Sequence, residues 1–302
     1  MPDTPDTAKS SQEAVLIVDA NPEIDALIRK IASEAKWKVE HVPSNEAALA
    51  AVQGRHFDVV VTSEKTSGTE DVALLRRIRR IHPHTRVIIL TGAGAPEAVI
   101  AAMRENAFSY FTAPFVPSQL EDMLQKALEA PAWDDGIELE SATPAWIRLS
   151  VRCDHTTAER LVQFVDEIGE DLALADRAHL STAFREMLLN AMEHGGRFDP
   201  NEYVEISYLR SSRAVSCRIR DPGEGFSLNE IPHAAVSNAP EDPCGHLIHR
   251  EAQGLRPGGF GILLTKNLVD EVIYSEKGNE VILIKHLDQA RRRVGGGETP
   301  GA

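Results

Sequence analysis

The sequence predicts two unlike domains in series. The first, residues 13–130, is an α/β doubly wound, five-stranded parallel sheet. The second, residues 145–288, is an α+β sandwich of helices on a mixed sheet. Three observations carry this reading. Five short apolar runs alternate with five amphipathic stretches between residues 14 and 128. After residue 145 strands and helices no longer alternate strictly. Between the two lies Ala130-Pro131-Ala132-Trp133-Asp134-Asp135-Gly136, whose Pro, Gly and Asp punctuate a helical run. A length of 302 residues fits two domains at roughly 100–200 residues each.

In the first domain Ala14–Val18 is a continuous apolar run, as a strand buried on both faces requires. Glu23–Ala35 follows as a helix, with Ile24, Leu27, Ile28 and Ile31 on one face. Val39–Val42 is strand and Asn45–Val52 helix; Asp58–Val61 strand and Glu70–Ile81 helix. Val87–Leu90 is strand and Ala95–Asn106 helix; Ser109–Phe111 strand and Ser118–Leu128 helix. Right-handed crossovers then place helices on both faces of a parallel sheet. Residues 131–144 are expected to be a linker. In the second domain Trp146–Val151, Val204–Tyr208, Ala214–Asp221, Val272–Ser275 and Val281–Lys285 are expected strands. Thr156–Ile168, Asp176–His194 and Phe260–Val269 are expected helices. Residues 1–12 and 289–302, the latter with Gly295-Gly296-Gly297 and Pro300, read as flexible tails.

Composition narrows the function. The chain is 42% hydrophobic and 26% charged, with 32 Lys+Arg against 46 Asp+Glu and a net charge of −14. That balance argues against broad nucleic-acid binding, which needs Lys and Arg to neutralise phosphates. No apolar run is long enough to span a membrane, and the polar N-terminus lacks the features of a signal peptide. Cys153, Cys217 and Cys244 are odd in number and widely spaced, which argues against a disulfide framework and for a reducing, cytoplasmic setting.

In a doubly wound sheet the site lies at the carboxyl ends of the strands. Here these ends carry Asp19-Ala20, Thr62-Ser63, Thr91-Gly92 and Thr112-Ala113-Pro114. The order resembles the receiver domain of bacterial response regulators. The resemblance runs through Ile17-Val18-Asp19-Ala20-Asn21-Pro22, Phe57–Ser63, Ile89–Gly92 and Tyr110–Phe115. A working receiver has an Asp nucleophile after its third strand, two carboxylates after the first for Mg²⁺, and a Lys before a Pro after the fifth. This chain has Ser63, Ala20 and Ala113 at three of those places and keeps only Asp19 and Thr91. The resemblance therefore implies a degenerate receiver that is not phosphorylated and serves regulation or docking. Glu64 cannot stand in for Ser63 while the strand persists, because neighbouring side chains face opposite ways. Tyr110 occupies the place of the receiver's switch aromatic, or simply packs against the fourth helix. Arg76, Arg77, Arg79 and Arg80 form a basic run on a helix, read as a solvated face or as a docking patch for an acidic partner.

The second domain carries three ordered motifs. Glu186, Asn190 and His194 stand at i, i+4 and i+8, on one face of a helix beside the apolar Phe184, Met187, Leu188 and Ala191. Asp221-Pro222-Gly223-Glu224-Gly225 ends a strand, with an Asp able to accept from the exocyclic amine of adenine and glycines that turn the chain sharply. Pro257-Gly258-Gly259-Phe260-Gly261 opens a helix, whose free N–H groups suit phosphates. Together they resemble the GHKL ATPase superfamily, a Bergerat-type sandwich, and within it the anti-sigma-factor serine kinases that phosphorylate STAS-domain antagonists. The resemblance implies that Glu186 is the general base and Asn190 holds Mg²⁺. It further implies that Asp221, Gly223 and Gly225 form the adenine pocket, that Gly259 and Gly261 hold the phosphates, and that His194 contributes to ATP binding. Where many relatives place a Thr on the last strand, this chain has Asn279-Glu280. The thirty-odd residues between Phe226 and Gly258 would form a lid. Cys244, His246 and His249 within them lack a fourth ligand for a closed zinc site.

A histidine kinase needs a dimerisation hairpin before its ATPase domain, and residues 131–145 leave no room for one. The expected function is an ATP-dependent anti-sigma factor or protein serine kinase of a bacterial partner-switching pathway, using ATP and Mg²⁺. Its expected partners are a STAS-domain antagonist, a sigma factor and a second copy of the chain. Two alternatives stand beside it: a regulator that sequesters a partner without phosphoryl transfer, and a histidine-kinase catalytic half acting in trans.

Overall fold

The computed structural model describes residues 13–19, 21–34, 36–129, 135–225 and 260–287. They divide into two compact units. One is built from residues up to Gly94 and from Ala107, the other from Ala95–Asn106 and from Asp135 onward.

The first unit holds five strands: β1 (Ala14–Val18), β2 (Lys38–Val42), β3 (Val59–Val61), β4 (Arg86–Thr91) and β5 (Ser109–Thr112). They form one sheet in the order β2-β1-β3-β4-β5, and every pair is parallel. Helices α1 (Pro22–Glu34), α2 (Asn45–Gly54) and α3 (Gly68–Ile81) make the crossovers, as does α4 (Pro96–Arg104), whose residues group with the second unit, and α5 (Pro117–Glu129) follows the last strand. The apolar runs become strands because both faces are covered: all five residues of β1 and all six of β4 are buried. Val15, Ile17 and Leu90 of the sheet share one core with Ile28 of α1 and Leu124 of α5. Local signals fix the helix starts. Ser44 caps α2 by accepting from the Ala47 N–H, and Ser67 with Glu70 closes a capping box on α3.

One buried group in this unit makes it pH-sensitive. Asp71 of α3 is fully buried, with Thr66 Oγ1 at 2.8 Å and Asn45 Nδ2 at 3.1 Å from its oxygens. Burial pushes its carboxyl up to about 6, against those hydrogen bonds. The folded carboxyl thus titrates above the unfolded one. Its protonated form favours folding below about pH 4, and that contribution, on the order of 3 kcal/mol, is lost as pH rises through 6. Asp71→Asn keeps an acceptor and removes the charge. It is expected to raise the unfolding temperature at pH 8 and to flatten the decline between pH 4 and 7. Thermal unfolding of both proteins across that range checks this, and parallel curves would refute it.

The second unit holds β6 (Ile137–Thr143), β7 (Trp146–Arg152), β8 (Tyr203–Arg210), β9 (Ala214–Arg220), β10 (Glu271–Tyr274) and β11 (Glu280–His286). Their order is β10-β11-β9-β8-β7-β6, and each pair is antiparallel. Among the described residues it also holds helices α6 (His155–Ile168), α7 (Leu174–Asn190) and α8 (Gly261–Leu268). Inward-facing Leu149, Ile206, Cys217 and Leu283 alternate with outward polar residues, and all four are buried, as one-sided sheets require.

Three expectations change here. The sheet is antiparallel rather than mixed, because short reversals join β6 to β7, β8 to β9 and β10 to β11. The expected linker 131–144 gives up 137–143 to β6, an edge strand paired along β7 with a register shift between Leu139 and Ser141. The expected helix 176–194 is α-helical only to Asn190. It then widens into a π turn, Ala191–Gly195, closed by the Gly196 N–H donating to the Ala191 carbonyl at 3.0 Å. The start of this unit is clamped by Arg160 of α6. Its guanidinium, 1% exposed, donates to the Asp135 carbonyl and carboxylate at 2.6 and 2.7 Å.

Candidate functional site

The three motifs of the second unit meet at one cavity of about 830 Å³, which Glu186, Asn190, His194, Asp221, Gly223 and Gly261 line with Gly225. Helix α7 supplies Glu186 and Asn190 one turn apart. The π turn inserts an extra residue per turn, so His194 leaves the straight i, i+4, i+8 stripe yet still lines the cavity. Gly261 starts α8 against the same side chains. A Cβ there would stand 2.8 Å from Glu186 Oε2 and 3.6 Å from Asn190 Nδ2. This helix start has no side-chain cap and stands beside Glu186 and Asn190, and a helix start carries unpaired N–H groups and the positive end of the helix dipole.

Asp221 closes the other end. Its Oδ1 accepts from the Gly223 N–H at 2.8 Å, and burial, the largest influence, pushes its carboxyl up. A Cβ on Gly195 would run into the Asp221 side chain, and one on Gly223 would stand 2.8 Å from Oδ1. Gly225 has φ +87 and passes so close to the Lys277 carbonyl that a side chain has no room. The loop is tied to β11: the Asp221 N–H donates to the Asn279 carbonyl at 3.0 Å, and Asn279 Nδ2 donates to the Asp221 carbonyl at 3.3 Å. Asn279 therefore braces the aspartate loop, while Glu280 lines the cavity and pairs with Arg218 at 2.6 Å. Ile219, Tyr274 and Val281 add apolar wall. A carboxylate acceptor, an apolar wall and glycine cradles fit an adenine nucleotide. Gly259, the Cys244, His246 and His249 cluster and the expected lid lie outside the described residues.

In the first unit the residues at the carboxyl ends of the strands are engaged with one another. Ser63 Oγ donates to the Asp19 carbonyl at 2.9 Å and accepts from the Lys65 N–H at 3.1 Å. Lys65 Nζ pairs with Asp19 Oδ1 at 3.1 Å. Thr91 Oγ1 donates to the Thr66 carbonyl at 3.1 Å. Ala113 donates its N–H to the Thr91 carbonyl and brings no charge; Ala20 lies outside the described residues. Tyr110 is fully buried, and Arg76, Arg77 and Arg80 are exposed along α3. Sequence reasoning passed over Lys65 and, in the second unit, Glu193, Arg197 and Tyr274. Only the fold brings them to the sites.

These two constructions define a receiver domain followed by an ATPase sandwich. Residues 15–125 match the response regulator receiver domain, and residues 150–285 match the histidine kinase-like ATPase domain. The anti-sigma F factor of Anoxybacillus flavithermus is 31% identical over 125 residues, 40% of this chain and 77% of that protein. Transcriptional regulatory protein ZraR of Salmonella typhimurium is 27% identical over 131 residues, 43% of this chain and 30% of its own. Transcriptional regulatory protein TcrA of Mycobacterium tuberculosis is 33% identical over 101 residues, 33% of this chain and 40% of its own. The chain thus spans about a third of the length of those two regulators. The chain belongs to the histidine kinase-like ATPase family to which the anti-sigma F factor belongs, with a response regulator receiver domain ahead of it. Among the described residues no helix is long and apolar enough to cross a membrane.

Proposed function

We propose that the chain is an ATP-dependent anti-sigma factor and protein serine kinase, which phosphorylates a STAS-domain antagonist in a bacterial partner-switching pathway. The observation that carries this reading is the convergence of Glu186, Asn190 and the start of α8 at one end of a cavity whose other end is Asp221. ATP supplies the phosphoryl group. Asp221 accepts from the adenine amine, with Gly223 and Gly225 leaving room for the ring. The α8 amides at Gly261, with Gly259 before it, cradle the phosphates. Asn190 would hold Mg²⁺, which would offset the charge of the phosphates, and His194 helps to bind the nucleotide. Glu186 takes the proton from the acceptor hydroxyl as its oxygen attacks the γ-phosphorus, and the bond to the β-phosphate breaks to release ADP. Catalysis is then mainly positioning and charge stabilisation. A sigma factor and a second copy of the chain are further proposed partners.

The receiver serves regulation or docking in this reading. Its Ser63 hydroxyl is spent on the Asp19 carbonyl, and the Lys65 ammonium sits on the carboxylate that a metal would need.

Incubation with labelled ATP and a STAS-domain protein encoded beside this chain tests the proposal. The expected product is an acid-stable phosphoserine on the STAS protein. An acid-labile product would favour a histidine-kinase half acting in trans, and ATP-dependent capture without transfer would favour sequestration. In a second arm, acetyl phosphate with Mg²⁺ should leave the intact mass of the chain unchanged; a phosphoryl adduct would overturn the receiver reading.

A further inference from the structure

We infer that Arg197 is a nucleotide-contacting residue that presents a cation to the base end of the cavity, an inference that rests on the adenine-nucleotide reading above. Seven carboxylate-bearing side chains line the cavity among the described residues, against a single guanidinium, that of Arg197. No hydrogen bond or ion pair among the described residues engages that guanidinium. Lys277 stands beside the lining, its Nζ donating to the Gly223 carbonyl at 3.1 Å, so among the described residues Arg197 is the lining cation left for a ligand.

The backbone that delivers Arg197 is costly. Arg197 and Phe198 are consecutive non-glycine residues in the left-handed region, at φ 53 and 49. Such conformations disfavour any residue with a Cβ and persist only where the surroundings over-determine them. Here three contacts do so. The π turn ends immediately before. Gly196 packs so tightly on the Cys153 sulfur that a side chain would collide with it. The Phe198 ring stacks on His155 with centroids 4.0 Å apart. Together they turn the chain so that residue 197 faces the cavity.

Position selects the part of the nucleotide. Gly195, two residues earlier, lies against the Asp221 carboxylate, whereas Glu186 and Gly261 mark the opposite, phosphate end. A guanidinium presented from this stretch of the lining would meet the purine, whose face attracts a cation and whose ring nitrogens accept hydrogen bonds. Its loss should therefore weaken adenosine, ADP and ATP alike.

Arg197→Gly separates function from folding. Glycine adopts positive φ freely, so this variant should unfold a few degrees higher than the wild type. It should bind adenosine and ATP each about tenfold more weakly. Arg197→Lys, which keeps the charge without the planar fork, should fall between. Calorimetric titration of full-length proteins with adenosine and ATP reads both effects. Wild-type affinity for adenosine in Arg197→Gly would overturn the inference, as would a loss confined to ATP, which would place the guanidinium at the phosphates. A folded wild type that binds no adenine ligand would overturn the adenine-nucleotide reading itself and the inference with it.

Discussion

Asp221→Asn is expected to cost the chain about a hundredfold in affinity for ATP while leaving the fold intact. The asymmetry of the carboxylate explains why. Oδ1 already accepts from the Gly223 N–H, and an asparagine oxygen can keep that bond. The second position then carries an NH₂ donor where the adenine amine also donates, so two donors face each other in a half-buried site. Burial raises the carboxyl of Asp221, so its charge is held in place at a cost that an amide does not incur, and the variant should be no less stable than the wild type. Nucleotide titration together with thermal unfolding tests this. Wild-type affinity in a folded Asp221→Asn protein would show that the base binds elsewhere.

The second large effect concerns the start of the ATPase unit. Asp135→Ala removes the carboxylate that balances Arg160, a side chain 1% exposed. Breaking a buried pair from one side typically costs about 3–5 kcal/mol, far more than an exposed pair is worth. For a unit of this size that corresponds to a fall of roughly 10 °C in unfolding temperature. Asp135→Ala combined with Arg160→Met should recover much of it, since no charge is then stranded. An unchanged unfolding temperature in the single variant would mean that the guanidinium finds another acid.

What the sequence made legible follows from which forces act locally. The five parallel strands stood out as apolar runs because the sheet is covered on both faces. The glycine clusters and Asp221 stood out because close backbone approach leaves few residue choices. β6 did not. Ile137–Thr143 follows a Pro/Gly/Asp stretch, alternates Ile and Leu with Glu138 and Glu140, and shifts register midway, which blurs its period. The π turn at Ala191–Gly195 was equally hidden, because a continuous helix also puts His194 on the Glu186 and Asn190 face. Lys65 and Arg197 depend on chain reversals that no local pattern encodes. Lys65 is a surface-type residue until the fold lays it against Asp19, 46 positions away. The antiparallel character of the second sheet depends on hairpins whose pairing partners are set by the whole topology.

The proposed site divides its labour. Asp221 and the glycines bind ATP, and Glu186 performs the proton transfer. A single experiment on Glu186→Gln, an isosteric change one turn from Asn190, separates the two. ATP affinity by titration and single-turnover transfer to the STAS partner are measured on the same preparation. Affinity is expected to stay within about threefold of wild type and transfer to fall by at least about a hundredfold. Transfer at the wild-type rate would contradict this division, because the proton would then leave the acceptor hydroxyl by another route.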